Sequence, residues 1–278
     1  MKLMRVGPVG SEKAAMLDEA GNIRDLSSAI QDISPTTISA DTLAQLRSVD
    51  PNTLPVLSGD HRIGPCVGDV RRFFCIGLNY SDHAIESNLP IPDFPIVFMK
   101  VCEPTGPNDP VSRPKNSTKM DWEVELGVVI GKEAKHVSED DALSYVAGYC
   151  IVDDLSERSF QNEFGGQWVK GKSCDGFGPI GPYLVTADEV SDPQNLDLKL
   201  SVNGKVRQNG STKTMIFTVA QIISHLSSFI SLKPGDVIST GTPPGVGMGM
   251  TPAVYLDVGD TIEVSIEGLG RQKHVVAV

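Results

Sequence analysis

Residues 123–130 have the sequence EVELGVVI, an apolar run that begins with two acidic residues. Its length and its β-branched residues are typical of a buried strand. Because side chains alternate between the two faces of a strand, Glu123 and Glu125 share one face, about 7 Å apart along the backbone. Like charges that face a core are costly unless a cation neutralises them, so the run predicts a buried acidic site. The alternative is a solvent-facing pair of glutamates at a strand end, since alternating strands commonly have a solvated face.

Further short strands are predicted on both sides of this run. Apolar segments predict strands at 73–76, 96–99 and 149–152. Residues 196–202 alternate between leucine or valine and polar residues, and they lead into Asn203-Gly204. That dipeptide after an alternating run is a strong signal for a β-hairpin.

Helix signals are fewer. Ser138 with Asp141 three residues later indicates a helix start, and we expect this helix to run to about Ala147. Thr218 with Gln221 predicts a capping box before an amphipathic helix. Few helices and many short strands indicate a mixed α/β fold dominated by sheet.

The chain divides into two predicted units. Residues 1–68 are expected to form a small N-terminal domain, whose end is rich in proline and glycine between Pro51 and Pro65. Residues 69–278 carry the acidic run and most of the strand signals. We expect them to form the larger, functional domain.

Composition excludes several classes of function. The chain has 278 residues, with 24 Lys+Arg against 35 Asp+Glu, so its net charge is −11. Nucleic acids and anionic membranes select basic patches, so neither is an expected partner. No apolar run approaches the roughly 18 residues of a membrane-spanning helix, and the first ten residues lack the apolar region of a signal peptide. The five cysteines form no C-x-x-C pair, which favours reduced thiols and a cytoplasmic location.

A third carboxylate completes a candidate metal site. Asp154 follows the predicted strand at 149–152. Together with Glu123 and Glu125 it offers oxygen ligands without paired cysteine or histidine. Such a set favours a hard cation, Mg²⁺, Mn²⁺ or Ca²⁺.

Two further groups of residues are candidates for chemistry. His83 and Glu86 are three residues apart in a short predicted helix, so the carboxylate can reach the imidazole and raise its basicity. Lys170 and Lys172 lie in a glycine-rich loop beside Trp168. The alternatives are a surface helix pair and two solvated lysines, both of which are common.

Two glycine-rich matches are set aside. Residues 166–173 fit the P-loop pattern G-x-x-x-x-G-K-[ST], but the following sequence, CDGFGP, does not start a helix. Phosphate binding by that motif needs a preceding strand and a following helix. Residues 241–249 follow a strand predicted at 237–240 and likewise lack a helix after them, so a dinucleotide site is not expected.

Five sequence blocks together resemble the fumarylacetoacetate hydrolase family, from about Arg71 to the C-terminus. The blocks are 77–83 (GLNYSDH), 121–129 (DWEVELGVV), 152–158 (VDDLSER), 170–173 (KGKS) and 239–247 (STGTPPGVG). The resemblance implies the family's mixed β-roll catalytic domain, a Mg²⁺ (or Mn²⁺) site and a homodimer.

The family's functional residues can be placed on matching positions of this chain. The resemblance implies metal ligands at Glu123, Glu125 and Asp154, a water-activating pair at His83 and Glu86, an active-site lysine at Lys172, and substrate contacts at Arg158, Gln161 and Thr242. Family acylpyruvases commonly have arginine where this chain has Leu78. That difference argues against small dioxo acids such as acetylpyruvate.

The implied reaction is the hydrolysis of a 2,4-dioxo acid between C3 and C4, which yields pyruvate and a second acid. Across the whole chain the resemblance is greatest to bacterial hydrolases of 2,4-diketo-3-deoxy sugar acids, proteins that are often labelled ureidoglycolate lyases. The alternatives on the same scaffold are a ureidoglycolate lyase and an isomerase, decarboxylase or hydratase of aromatic catabolism. A non-catalytic metal-binding protein is the alternative from a different class.

Overall fold

The structure, a computed structural model, describes residues 1–86 and 89–278. Over these residues the chain forms sixteen β-strands and six α-helices. The strands are β1 (Lys2–Val6), β2 (Lys13–Leu17), β3 (Ile23–Asp25), β4 (Phe73–Gly77), β5 (Ile96–Lys100), β6 (Val111–Ser112), β7 (Met120–Asp121), β8 (Val124–Ile130), β9 (Val146–Asp153), β10 (Ser156–Glu157), β11 (Ile180–Thr186), β12 (Asp197–Val202), β13 (Lys205–Ser211), β14 (Val237–Ser239), β15 (Thr261–Ile266) and β16 (Gly270–Ala277). The helices are α1 (Ala40–Arg47), α2 (Ser81–Glu86), α3 (Glu139–Ala142), α4 (Arg158–Asn162), α5 (Val169–Lys172) and α6 (Val219–Phe229). The mixed, sheet-dominated α/β fold expected from the sequence is confirmed.

The acidic strand β8 lies inside a nine-stranded sheet with the order β3-β2-β1-β11-β9-β8-β14-β4-β5. It pairs antiparallel with β9 on one side and with β14 on the other. Every residue of β8 is buried, because both faces of the strand are covered. Leu126 and Val128 pack into one hydrophobic core, whereas Val129 packs into the other. Glu123 and Glu125 therefore lie on the Val129 side, in the interior of the protein.

A five-stranded sheet, in the order β13-β12-β15-β16-β6, covers the other side of β8. Leu198 and Leu200 of β12 share the core of Leu126 with residues Ile222 and Leu226 of α6. The hairpin predicted at Asn203-Gly204 joins β12 and β13, and both turn residues have positive φ, 51° and 75°. Asparagine and glycine tolerate that conformation better than other residues, which explains the turn.

Residues 1–68 add three strands to the large sheet. β1 pairs with β11 so that Leu3 lies opposite Leu184. Leu3 and Leu43 pack in the same core as Val129 of β8. The domain division at residue 68 stays a prediction, and strands from both sides of it share one sheet.

The helix predictions have mixed outcomes. The capping box of Thr218 and Gln221 at the start of α6 is confirmed. The helix predicted to run to about Ala147 begins at the Ser138 cap as expected, but that end is wrong: α3 ends at Ala142, and β9 begins at Val146. Sheet pairing of Val146 with Ile130 competes with the helix and prevails there. Across the described ranges, no helix is long and apolar enough to span a membrane.

A buried polar group lies where the two sheets meet, directly behind the acidic strand. Asp153 Oδ1 accepts a hydrogen bond of 3.0 Å from the backbone N–H of Glu123. Its other oxygen lies 4.0 Å from His274 Nε2. Burial raises the pKa of Asp153 to about 7 and lowers the pKa of His274 to about 4. Both groups are therefore neutral in the folded protein near pH 6.

We predict that Asp153→Asn stabilises the metal-free protein more at pH 8 than at pH 5. The folded form binds a proton at Asp153 up to about pH 7, while the unfolded chain releases it near the ordinary value of 3.8. The contribution of Asp153 to the free energy of unfolding is therefore fully present below pH 4 and is lost as the pH rises to about 7. Asparagine avoids this loss, so we expect a relative gain of about 1 to 3 kcal/mol at the higher pH.

Urea unfolding in EDTA at the two pH values measures this difference. Exposed Asp60→Asn is the matched control and should show no such change. The opposite pH dependence of His274 is present in both proteins and cancels in the comparison. An equal effect of Asp153→Asn at pH 5 and pH 8 would contradict a buried, protonated Asp153.

Candidate active site

A cavity of about 210 Å³ opens beside the N-terminal end of β8. Seven of the nine residues chosen from the sequence line it: His83, Glu123, Glu125, Arg158, Gln161, Lys172 and Thr242. The other two, Glu86 and Asp154, contact lining residues directly. Residues that are distant in the sequence thus come together at one site.

The three predicted metal ligands converge. One carboxylate oxygen from each of Glu123, Glu125 and Asp154 lies within 4.8 Å of the others, and all three residues are buried. Glu123 and Glu125 share a face of the strand end, as the alternation predicted. Asp154 lies next to them because it directly follows β9, which pairs with β8. The backbone N–H of Asp154 donates to Glu123 O at 2.9 Å. The alternative of a solvent-facing pair of glutamates is therefore wrong.

Lys172 connects two of these carboxylates. Its Nζ donates to Glu123 Oε2 at 2.6 Å and to Asp154 Oδ2 at 2.7 Å. Burial alone would lower the pKa of Lys172, but the two carboxylates raise it above its ordinary value. These ion pairs favour the charged ammonium form, and the alternative of a solvated lysine is wrong for Lys172, whereas Lys170 is exposed.

Lys100 was missed by the sequence analysis. It is the last residue of β5, is 2% exposed, and donates from Nζ to Asp154 Oδ1 and to Leu155 O. The strand was predicted to end at Met99, so the lysine was left outside it. A charged residue directly after an apolar edge strand was the available signal.

The side chain of Arg158 is buried and hydrogen-bonded to other residues of the protein. Its guanidinium donates to Asp121 Oδ2 at 2.8 Å, to Glu123 Oε1 at 2.6 Å and to Gln161 Oε1 at 3.1 Å. Burial opposes its charge, yet Glu123 and Asp121 raise its pKa further. The structure therefore places the two predicted substrate contacts, Arg158 and Gln161, in a network that orients Glu123. Asp121, which also accepts hydrogen bonds from the backbone of Gly247, was not singled out from the sequence.

Thr242 is also held by protein contacts. Its hydroxyl donates to Val124 O at 2.9 Å and accepts from Gln208 Nε2 at 2.8 Å. These bonds fix the glycine-rich loop after β14 against the start of β8. The side chain still lines the cavity, so a contact with a ligand stays a prediction.

Glu125 has the least neutralised charge of the three acidic residues. Its Oε2 accepts from Ser239 Oγ at 2.5 Å and from the N–H of Gly241 at 2.8 Å. Among the residues that the structure describes, none donates a hydrogen bond to Oε1. Burial, followed by the charges of Asp154 and Glu123, raises the pKa of Glu125 well above its ordinary value.

His83 and Glu86 form the predicted pair in α2. His83 Nδ1 lies 3.0 Å from Glu86 Oε2. Burial would raise the pKa of Glu86, but the hydrogen bonds from His83 and from the N–H of Gly245 lower it overall. An ionised carboxylate only accepts hydrogen bonds, so Nδ1 carries the proton and Nε2 is free to act as a base.

α5 brings Lys172 into the site by packing closely on α4. A Cβ atom on Gly171 would lie 2.4 Å from Glu157 O and 2.5 Å from the N atom of Gln161, so only glycine fits. The P-loop match spans this helix, but α4 precedes it and α5 ends at Lys172. The context for phosphate binding is therefore absent from this segment, as the sequence indicated.

The residues present fit a divalent cation. Their donors are carboxylate oxygens: each oxygen of Glu123 and Asp154 accepts one hydrogen bond and keeps a second lone pair, and Glu125 Oε1 accepts none from the described residues. Burial raises the pKa of Glu125, and the charges of Asp154 and Glu123 raise it further, so a cation bound beside this carboxyl would stabilise its ionised form. Hard oxygen ligands of this kind favour Mg²⁺ or Mn²⁺.

Comparison with known proteins identifies the scaffold. The profile of the fumarylacetoacetate (FAA) hydrolase C-terminal family matches residues 72–277. The chain belongs to the fumarylacetoacetate hydrolase family. A relative from Burkholderia orbicola is 58% identical over 277 residues, or 98% of this chain and 97% of its own, and its name gives only a hydrolase.

Solved structures of the family match the whole chain. Fumarylacetoacetate hydrolase from Exiguobacterium antarcticum superposes with a TM-score of 0.89 at 35% identity and covers 100% of this chain and 99% of its own. A 2-hydroxyhepta-2,4-diene-1,7-dioate isomerase from Mycobacterium marinum gives a TM-score of 0.75 at 30% identity, with 100% and 98% covered. The family relationship indicates an enzyme that resembles these hydrolases and isomerases.

We predict that Glu125→Gln weakens Mg²⁺ binding about tenfold or more, the loss typical even of residues that only support a metal ligand. Glutamine has nearly the same shape and keeps an oxygen for Ser239 and Gly241, but it lacks the charge that attracts the cation. Titration calorimetry with MgCl₂ measures the affinity. The control is Glu263→Gln, an exposed glutamate on β15 that contacts Lys273. Equal affinity in wild type and Glu125→Gln would remove Glu125 from the ligand set.

Proposed function

We propose that this enzyme is a Mg²⁺- or Mn²⁺-dependent hydrolase that cleaves the C3–C4 bond of a 2,4-dioxo acid. The proposed substrate is a 2,4-diketo-3-deoxy sugar acid, and the products are pyruvate and a hydroxy acid such as lactate. One observation carries the proposal: three carboxylates, a charged lysine and a carboxylate-oriented histidine meet at a single cavity.

The metal would be held by Glu123, Glu125 and Asp154. When bound, it supplies a Lewis acid for the adjacent carboxylate and 2-oxo oxygens of the substrate. Arg158 and Lys100 keep Glu123 and Asp154 in place by ion pairs. The geometry of the acidic cluster is therefore built before any ligand binds.

His83 is the proposed general base. Its Nδ1–H is donated to Glu86, so Nε2 can take a proton from water. The water oxygen adds to C4 of the substrate, and the C3–C4 bond then breaks with its electron pair on C3. The second product leaves as a carboxylic acid, and the proton held by His83 returns to C3 to give pyruvate.

Lys172 is the proposed electrostatic stabiliser. The electron pair on C3 delocalises onto the 2-oxo oxygen as an enolate, and the ammonium group of Lys172 lies beside the acidic cluster where that oxygen would bind. A positive charge already in place stabilises negative charge as it develops. This need favours C–C cleavage over ureidoglycolate lysis, because cleavage of a C–N bond requires no enolate.

We predict that His83→Ala lowers kcat by a factor of about 10² to 10⁴, as expected for the loss of a general base. Mg²⁺ affinity should stay close to that of wild type, because His83 is outside the carboxylate cluster. Steady-state kinetics and magnesium calorimetry measure the two effects. His61→Ala, at an exposed histidine, is the control. Full turnover by His83→Ala would exclude this role.

The substrate class is tested by a screen with Mg²⁺. We expect release of pyruvate from 2,4-diketo-3-deoxy sugar acids, which coupling to lactate dehydrogenase reports. A higher kcat/KM for ureidoglycolate, measured by glyoxylate release, would make the protein a lyase. Conversion of a hydroxydienoate without pyruvate would instead favour an isomerase, the activity that the Mycobacterium marinum structure is named for.

The remaining expectations from the sequence are part of this proposal. They are a homodimer, a cytoplasmic location, a small-molecule 2-oxo acid as partner, and no binding to nucleic acid or membrane. The five cysteines are free thiols, which agrees with a reducing compartment.

A further inference from the structure

One wall of the cavity is aromatic. Phe98 of β5 and Trp168, the residue before α5, meet edge to face with ring centroids 5.4 Å apart. Lys172 Nζ lies 5.3 Å from the centroid of Phe98. The wall therefore lies next to the lysine, which itself contacts Glu123 and Asp154 of the acidic cluster.

Gly77 leaves room for the indole ring of Trp168. A Cβ atom at residue 77 would lie 2.5 Å from Trp168 Cζ3, so any larger residue would displace the ring. The carbonyl oxygen of Trp168 also accepts the N–H groups of Gly171 and Lys172, at 3.0 and 3.1 Å. Trp168 and Lys172 are thus held one helical turn apart. This turn therefore sets the separation between the charged Lys172 and the aromatic Trp168.

No free lysine or arginine lines the cavity within residues 1–86 and 89–278. Among the described residues that line the cavity, lysine and arginine occur as Lys172 and Arg158. Both are already bonded to carboxylates of the protein. The sequence has no lysine or arginine at positions 87 and 88. Leu78, the residue after Gly77, and Met248 also line the cavity and add apolar surface.

We propose that Trp168 and Phe98 select substrates whose tail, the part beyond the 2-oxo acid end, is uncharged and ends in an apolar group such as methyl. This inference rests on the proposed function and specifies its substrate class. The wall removes apolar tail atoms from water. A terminal carboxylate would lose its hydration there without gaining a partner, so dicarboxylates are disfavoured.

Binding of four 2-oxo acids that the enzyme cannot cleave distinguishes the contribution of the tail from that of the 2-oxo acid end, which all four share. Pyruvate, 2-oxobutanoate and 2-oxopentanoate lengthen the tail by one methylene at a time, and 2-oxoglutarate replaces the terminal methyl of 2-oxopentanoate with a carboxylate. With full-length protein and saturating Mg²⁺, calorimetry should give about fourfold tighter binding per methylene. We expect 2-oxoglutarate to bind at least about tenfold more weakly than 2-oxopentanoate.

The failures of the two proposals differ in this experiment. If none of the four acids binds, the proposed function and this inference both fail. If all four bind with equal affinity, or if 2-oxoglutarate binds best, the 2-oxo acid site stands and the inference about the tail is wrong.

Substitutions test the residues themselves. Trp168→Ala should weaken the affinity for 2-oxopentanoate about tenfold and leave the affinity for pyruvate unchanged. Trp168→Phe should keep most of the difference in affinity between the two acids. Phe229→Ala, at an exposed aromatic residue of α6, is the control and should change neither affinity. An equal loss for every acid in Trp168→Ala would show a structural role and contradict the inference.

A gain of function provides a second test that does not depend on removing the indole. Leu78→Lys places a cation at the apolar end while Trp168 and Phe98 stay in place. We expect this variant to improve the affinity for 2-oxoglutarate relative to 2-oxopentanoate about tenfold or more, because the tail carboxylate gains a partner. No change in that ratio would show that the tail does not reach this wall.

Discussion

Three carboxylates are buried at one point of this protein, and their charge has to be balanced for the fold to exist. Glu123, Glu125 and Asp154 have oxygens within 4.8 Å of one another in the interior. An isolated buried charge costs several kcal/mol, so such a cluster is stable only with cations or donors close by. Lys172 and Arg158 supply this balance at Glu123 by direct ion pairs. The same contacts explain why strands and helices from distant parts of the chain must meet at this point.

The basic side chains neutralise the three carboxylates unequally, and this difference makes the cluster a candidate cation site. Glu123 and Asp154 have basic partners on both of their oxygens, whereas Glu125 has only a hydroxyl and a backbone N–H. Among the described residues no basic side chain forms an ion pair with Glu125, and burial together with the charges of Asp154 and Glu123 raises the pKa of this carboxyl well above its ordinary value. A divalent cation would complete the neutralisation there. Structural stability and ligand binding thus depend on the same arrangement. The basic residues that permit burial of the cluster pair with Glu123 and Asp154 and leave Glu125 for a cation.

The cavity combines a rigid polar end with an apolar end of different origin. The polar end comes from β8, β9 and β14, which are hydrogen-bonded in the middle of the large sheet. The apolar lining comes from the edge strand β5 and from segments that precede short helices, including Leu78 before α2 and Trp168 before α5. Residues at strand ends and in connections vary at less cost to the core than residues inside a sheet. A shared fold with a fixed acidic cluster is therefore compatible with both the hydrolases and the isomerases among the solved structures.

The sequence by itself determined the features that depend on local geometry. The two-residue period of a strand placed Glu123 and Glu125 on one face, and three-residue helical spacing brought His83 to Glu86. Only the tertiary structure decided which charged side chains form ion pairs. Lys100 pairs with Asp154, 54 residues away in the sequence, and Arg158 pairs with Glu123, 35 residues away. It also ended α3 at Ala142, because pairing with β8 competes with the helix. The physical reason is that backbone periodicity acts over a few residues and can be read from the sequence. Charge pairing and close packing act between segments that only the complete fold brings together.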